Sequence, residues 1–336
     1  KGVSGSAGMQ VVGAAGETSN RYQDKGLPVL VMADGPAGLR LNKDYGKDEN
    51  GVYALEGSLP PGFAEFMDEE TAAGLGSMAK KEPERHGEIL HQYCSALPIG
   101  TALAQSWNLE LCRACGDLVG DEMERFGVHL WLAPALNIHR SPLCGRNFEY
   151  FSEDPLVSGK TGAAMVRGLQ KNGVSACPKH FACNNQETNR AYNDSQVSQR
   201  ALREIYLKGF EICIAEGKPQ NIMSSYNKIN GVWSHYNYDL CTTVLRGEWG
   251  YEGVVITDWW MRSSPDPDFP DLWDSAYRIR AQVDVLMPGA IDHAGTPDPS
   301  ALESYRKGGL TLAELQRGAK NVLGAILGSP ALAKMD

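Results

Sequence analysis

A carboxylate at the end of a run of valine and isoleucine is costly to bury unless a partner or a task keeps it there. Asp258 is such a group: it closes Val254-Val-Ile-Thr257 and precedes Trp259-Trp260. Other apolar runs of the chain also end in reactive groups. Val29–Ala33 leads into Asp34-Gly35-Pro36, Val174–Pro178 into Lys179-His180, and Asn221–Ser225 into Tyr226-Asn227. The segment Cys144–Pro155, which follows the run at 128–136, adds Arg146 and Glu149. Each has an ordinary structural use. Asp258 could cap a helix or pair with Arg262, Asp34-Gly-Pro makes a good turn, Lys179-His180 could be a loop pair, and Tyr226 could be a rim aromatic. Taken together, carboxylates, tryptophans and Arg, Lys and His donors match what a sugar ring needs, which is apolar faces to stack on and hydroxyls to bind in pairs. The residues point to a carbohydrate site, provided one scaffold gathers them.

That scaffold is read from the apolar runs themselves: Val29–Ala33, Leu97–Leu103, Val128–Pro134, Val174–Ala182, Asn221–Tyr226, Val254–Trp259 and Val283–Pro288. From the second run onward they recur at intervals of roughly 30–50 residues, the length of a strand–helix–strand unit. Near-continuous apolar strands alternating with helices predict parallel strands covered on both faces. Ser106–Gly127 and Gln199–Glu216 carry apolar residues at helical spacing, and Thr311-Leu-Ala-Glu314 is a capping box opening a helix with Leu315, Val322 and Ile326. The expected fold is a single (β/α)8 barrel over residues 1–336, allowing for one irregular or missing strand. In such a barrel the active site lies at the C-terminal ends of the strands, where the residues above fall. Residues 41–58 and 261–280 are expected to be surface insertions; prolines at 265, 267 and 270 keep the second from being one helix. No Gly-x-Gly-x-x-Gly follows any run, so a dinucleotide site has no support.

Composition removes other classes. The 336 residues carry 32 Lys+Arg against 41 Asp+Glu, a net charge of −9, and a phosphate backbone would be repelled by that surface. No run approaches the ~20 apolar residues that span a bilayer. Nucleic acid and membrane are therefore not expected partners. Eight scattered cysteines read as buried thiols in a reducing compartment, which points to the cytoplasm. Cys112-Arg-Ala-Cys115 has no second pair at zinc spacing, and His86 and His91 fall in a charged surface stretch, so neither a metal nor a cofactor is expected. Gly-x-Ser-x-Gly and His-Glu-x-x-His are absent. The start at Lys1, with neither Met nor an apolar leader, reads as the beginning of a piece of a longer protein.

Six segments in order carry a resemblance. They are Asp34-Gly-Pro-Ala-Gly-Leu-Arg40, Gly145-Arg-Asn-Phe-Glu149 with Ser152-Glu-Asp-Pro155, Lys179-His-Phe-Ala182 through Arg190, Ser225-Tyr-Asn-Lys-Ile-Asn-Gly231, Gly253-Val-Val-Ile-Thr-Asp-Trp259, and Asp284-Val-Leu-Met-Pro-Gly289. The chain resembles glycoside hydrolase family 3, in particular its β-glucosidase-like members. The resemblance implies release of terminal β-D-glucosyl residues by a retaining double displacement, with Asp258 as nucleophile. It implies a glycone pocket built from Asp34, Arg40, Arg146, Lys179, His180, Arg190 and Tyr226, with Trp259 beside the nucleophile. Nearby cations are expected to hold Asp258 ionised.

Retention also needs an acid/base carboxyl, and none is assigned in this chain. In most members of the family it lies on a separate α/β sandwich domain, for which no stretch after residue 290 is long enough. The single-domain N-acetylglucosaminidases of the family use an Asp-His pair on a barrel loop, where this chain reads Asn193-Asp194-Ser195-Gln196. Such an enzyme, or a sugar-binding barrel without catalysis, are the alternatives. Glucose, xylose or another glycone stays open.

Overall fold

The computed structural model describes residues 2–3, 10–55, 85–261, 275–288 and 299–333. The chain opens with β1 (Gly2–Val3), β2 (Gly16–Thr18) and β3 (Val31–Ala33), then a small antiparallel sheet of β4 (Asp44–Asp48), β5 (Gly51–Ala54) and β6 (Glu88–His91). After it come α1 (Gly100–Gln105), α2 (Leu109–Phe126), β7 (Leu130–Trp131), α3 (Pro155–Gln170), β8 (Ser175–Ala176), β9 (Asp194–Ser195) and α4 (Lys208–Gly217). The remainder holds β10 (Asn221–Met223), β11 (Lys228–Ile229), β12 (Val232–Trp233), β13 (Val254–Ile256), α5 (Ser275–Arg280), α6 (Pro299–Arg306) and α7 (Leu312–Leu327).

Parallel pairing runs in chain order. β3 pairs with β7, β7 with β8, and β10 with β13. Single parallel bridges Phe181–Ser224 and Ile256–Val285 extend the series. The first expected crossover helix forms where the apolar spacing places it. The second, expected over Gln199–Glu216, is α-helical over Gln199–Ala201 and Lys208–Gly217 with π-helical turns over Leu202–Tyr206 between them. α2 begins at Asn108, whose side chain accepts from the Leu111 amide, and stops at Gly127, whose φ of +71° is a conformation that suits glycine. The capping box at Thr311 and Glu314 is formed in full and opens α7.

Side-chain parity along these strands separates two cores. Met32, Leu130, Leu132, Cys177, Met223, Val254, Ile256, Val285 and Met287 pack together in one cluster. The intervening Val31, Ala33, Trp131, Ala133, Ala176, Ile222, Val255 and Leu286 pack with the helices in the other. Successive residues of a strand point to opposite faces, so a shared interior line runs through every parallel strand. Asp34, Lys179 and Asp258 each stand two residues beyond a member of the inner cluster, namely Met32, Cys177 and Ile256.

A clamp holds the last strands in register. Arg246 Nη2 lies 2.7 Å from Asp284 Oδ2, Asp284 accepts from the Val255 amide at 2.9 Å and from Asn321 Nδ2 at 2.9 Å, and its side chain is fully buried. Arg246→Met would leave that carboxylate buried and unpaired. A stability loss of about 3–5 kcal/mol is expected in denaturant titration.

Three expectations are corrected. Leu97–Leu103 is not a strand: Pro98 and Ile99 lead into α1, where Leu103 and Ala104 are buried. A short apolar run does not by itself distinguish strand from helix. The strand array is mixed, because β2 pairs antiparallel with both β1 and β3. Among the described residues the array forms several small sheets and no closed barrel. Residues 275–280 are not a surface insertion, since they form α5, of which Ser275–Arg278 are buried. Residues 262–274 and 56–58 of the expected insertions lie outside the described residues, and 44–54 form β4 and β5.

Candidate active site

Asp258 follows β13 and is 8% exposed. Its Oδ1 accepts the Trp259 amide at 2.7 Å, while Oδ2 is buried with no hydrogen-bond partner. His180 Nε2 stands 3.7 Å from Oδ2. Burial pushes the Asp258 carboxyl above its ordinary value, and Arg190, Arg146 and Lys179 pull it back only in part. Desolvation is the larger influence on this carboxyl, and the cations that favour its ionised form offset it in part.

Around this carboxylate each cation has its own anchor. Lys179 Nζ lies 2.7 Å from Asp34 Oδ1, and its side chain is 3% exposed. Arg40 reaches the other oxygen, Asp34 Oδ2, at 2.8 Å from a largely exposed position. Burial alone would raise Asp34, but Lys179 and Arg40 outweigh it and hold the carboxyl well below the usual carboxylate range. Arg146 pairs with Glu149, and Arg190 with Glu187 at 2.9 Å. The Arg190 guanidinium also lies 4.4 Å over the Tyr226 ring, whose hydroxyl donates to the Trp259 carbonyl at 2.6 Å.

His180 is locked from behind. Its amide donates to Asn137 Oδ1 at 2.8 Å, its carbonyl accepts from Asn137 Nδ2 at 2.9 Å, and its Nδ1 lies 3.2 Å from that same oxygen. Burial first, then the charges of Arg146, Lys179 and Arg190, drive its pKa well below the ordinary histidine value. At neutral pH the imidazole is therefore uncharged, and Nε2 acts as a dipole beside Asp258, not as a counter-ion.

Such a constellation, an under-solvated carboxylate ringed by cations and a neutral imidazole, suits attack on a carbon that develops positive charge. A sequence model described as the glycosyl hydrolase family 3 N-terminal domain matches residues 67–317. The chain belongs to glycosyl hydrolase family 3. It is 44% identical over 239 residues to a β-glucosidase of Ruminococcus albus, covering 71% of this chain and 25% of that protein. It is 33% identical over 314 residues to an exo-α-(1→6)-L-arabinopyranosidase of Bifidobacterium longum, covering 94% of this chain and 35% of the other. Among solved structures, β-glucosidase 3B of Thermotoga neapolitana in complex with glucose aligns with a TM-score of 0.78 and 38% identity, over 99% of this chain and 41% of that one. The chain spans about a quarter to two fifths of the length of these family 3 relatives, which carry further sequence beyond the matched part.

Of the residues singled out from the sequence, Asp34, Arg146, Lys179, His180, Arg190, Tyr226 and Asp258 are linked by the contacts above. Arg40 lies at the outer edge. Trp259 is buried, with Nε1 donating to the Ala15 carbonyl at 3.1 Å, so its indole nitrogen is tied to the strand array. Asp194 sits in the β9–β11 pair, its oxygens taken by the Gly231 amide at 2.9 Å and Gln196 Nε2 at 2.6 Å.

Sequence reasoning left Asn137, Tyr150, Asn184 and Glu187 without roles. Tyr150 OH and Asn184 bond each other, and Asn184 Nδ2 donates to Glu187 at 2.9 Å, completing a layer behind Arg190 and His180. The i,i+3 spacing of Glu187 and Arg190, and of Arg146 and Glu149, was a signal that could have found two of these pairs. No group of three or more His, Cys, Asp or Glu among the described residues is placed to hold a metal ion, and no described helix is long and apolar enough to cross a membrane.

Proposed function

We propose that this chain is the nucleophile-bearing part of a retaining β-glycosidase of β-glucosidase type. Asp258 Oδ2 attacks the anomeric carbon, the bond to the leaving oxygen breaks, and water then releases the sugar from the glycosyl ester. The observation that carries this reading is the buried Oδ2, free of hydrogen bonds while Arg146, Arg190 and Lys179 surround the group. Asp34, Arg40, Arg146, Lys179, His180, Arg190 and Tyr226 bind the glycone, and Trp259 closes the pocket beside the nucleophile. The parity of the inner core supports a closed (β/α)8 arrangement in which these groups share one end. An α/β sandwich domain is proposed to supply the acid/base. Among the described residues Asp34, Glu149 and Glu187 are each engaged by a cation and Asp194 is held in a sheet pair, which favours the β-glucosidase reading over the N-acetylglucosaminidase alternative. A reducing compartment such as the cytoplasm is proposed from eight free thiols, seven of them buried.

Incubation with 2,4-dinitrophenyl 2-deoxy-2-fluoro-β-glucoside is expected to add one glycosyl mass to the peptide containing Asp258. Labelling elsewhere, or none, overturns the assignment. The matching arabinopyranoside and xyloside, run in parallel, decide the glycone. Poor leaving groups are expected to react far more slowly than dinitrophenol, since the acid that would protonate them is proposed to lie on the sandwich domain.

The labelling rate should also fall with acid. Asp258 must be ionised to attack, and burial raises its carboxyl, so the acid limb is expected to lie above 3.8, the ordinary aspartate value. A limb at or below that value contradicts the burial argument.

A further inference from the structure

A neutral histidine carries one ring proton, and the groups behind the ring decide which nitrogen holds it. For His180 the first of these is Asn137, whose amide is oriented by two backbone groups. Its Oδ1 accepts the His180 amide at 2.8 Å, and its Nδ2 donates to the His180 carbonyl at 2.9 Å. The atom 3.2 Å from Nδ1 is therefore an amide oxygen, which only accepts. Both side chains are buried, so a bare Nδ1 there would set two lone pairs against each other without water to relieve them.

Tyr150 points the same way. Its hydroxyl stands 3.4 Å from Nδ1 and has one proton to give. That proton has a partner in the Asn184 carbonyl at 3.3 Å. The hydroxyl oxygen in turn accepts from Asn184 Nδ2 at 3.2 Å, and the same Nδ2 donates to Glu187 Oε1 at 2.9 Å, a carboxylate held by Arg190. What the hydroxyl turns toward the ring is a lone pair, so two acceptors converge on Nδ1. On the other side of the ring, Nε2 stands 3.7 Å from Asp258 Oδ2, too far for a hydrogen bond, and Oδ2 has no hydrogen-bond partner among the described residues. Burial and three neighbouring cations keep the ring uncharged, so it holds no second proton.

We propose that Asn137, seconded by Tyr150, holds the proton of His180 on Nδ1, so that Nε2 meets the glycone as a bare acceptor for a sugar hydroxyl and leaves Asp258 Oδ2 unbonded for attack. The inference rests on the glycosidase reading of Asp258 and deepens it. Asn137 and Tyr150 are positioning residues, acting through the imidazole. A proton on Nε2 would instead be drawn to the carboxylate, and a hydrogen bond to the attacking oxygen would stabilise the anion before attack and be lost as the bond to carbon forms.

NMR on the full 336-residue chain reads the ring directly. Lys179-His180 is the one Lys-His step among the seven histidines, so lysine labelled at the carbonyl carbon together with nitrogen-labelled histidine picks out His180. Long-range proton–nitrogen spectra of the free chain are expected to show Nδ1 as the protonated nitrogen and Nε2 as the bare one. The reverse pattern, or exchange between the two, overturns the assignment. Asn137→Asp keeps an acceptor against Nδ1 and is expected to keep the proton there; a bare Nδ1 in that variant also overturns it. Asn137→Leu is expected to move the proton to Nε2 and to slow labelling of Asp258 by the fluoroglucoside about fivefold, the scale of one hydrogen bond. An Asn137→Leu chain with the native pattern removes Asn137 from the positioning role, and if that chain does not fold, the native and Asn137→Asp spectra still decide. Titration with glucose tests the acceptor: the Nε2 resonance is expected to move toward the hydrogen-bonded range while Nδ1 stays. Glucose that shifts the His180 amide and leaves Nε2 unmoved overturns the acceptor role. A chain that neither binds glucose nor takes label at Asp258 removes the glycosidase reading and the acceptor role with it, whereas the proton position is judged on the free chain alone.

Discussion

The Asp258→Gly chain is expected to cleave 2,4-dinitrophenyl β-glucoside about four orders of magnitude more slowly than the native chain, the scale on which removal of a covalent nucleophile is felt in other hydrolases. The carboxylate leaves behind a cavity facing Arg146, Arg190 and Lys179, which an azide ion can occupy. Azide should therefore restore turnover and give the α-glucosyl azide, detected by proton NMR, because it attacks from the face Asp258 used. Retained activity without azide, or a β-configured product, rules Asp258 out as nucleophile.

Stability moves the other way. Burial raises the Asp258 carboxyl, so the folded chain holds that proton more tightly than the unfolded chain does. Ionising it above its folded pKa therefore costs stability, and that cost is present at neutral pH. Asp258→Asn is expected to melt higher than the native chain at pH 7 while losing activity. The difference should shrink as the pH falls and the native carboxyl takes up its proton. A variant that melts lower would mean that the surrounding cations, not desolvation, dominate the site.

Asp34→Ala is the second large effect. It strands the Lys179 ammonium, whose side chain is 3% exposed and whose partner lies 2.7 Å away, so a loss of about 3–5 kcal/mol is expected in chemical denaturation. Lys179→Met should cost less, since Arg40 still serves an Asp34 that is partly open to solvent. The double variant Asp34→Asn with Lys179→Met should recover part of the loss, because neither charge remains buried alone. The sign with pH is opposite to that of Asp258. The Asp34 carboxyl is held low in the folded chain, so its contribution is full above the ordinary value of 3.8 and is lost as the pH drops below it toward the folded pKa. Unfolding at neutral and at acid pH measures this directly: the gap between Asp34→Ala and the native chain should narrow in acid.

Much of the site was legible because it is written in strand parity. Asp34 and Asp258 stand out in the sequence as polar ends of apolar runs, and each lies two residues beyond a member of the inner cluster, Met32 and Ile256, which is the spacing that shares a strand face. Capping chemistry was equally local. Asn108, Gly127 and the Thr311–Glu314 box bound their helices where the spacing put them. Leu97–Leu103 reads as a strand because a seven-residue, largely apolar run carries no usable period, whereas in the fold its second half enters a helix that packs Leu103 and Ala104 into the core. Asn137 could not have been found, since its value lies in meeting the backbone of His180, 43 residues away.

The order of chemistry-bearing residues, the parity that turns them inward and the helix boundaries were determined by the sequence itself, because they depend on covalent spacing and on hydrogen bonds within a few residues. Tertiary structure alone decided the charge states. Whether Asp34 sits low, Asp258 sits high and His180 stays neutral depends on how much water burial removes and on which cations, brought from distant segments, stand within a few ångströms. Coulomb and desolvation energies act through space, and the distances that set them exist only once the chain has folded.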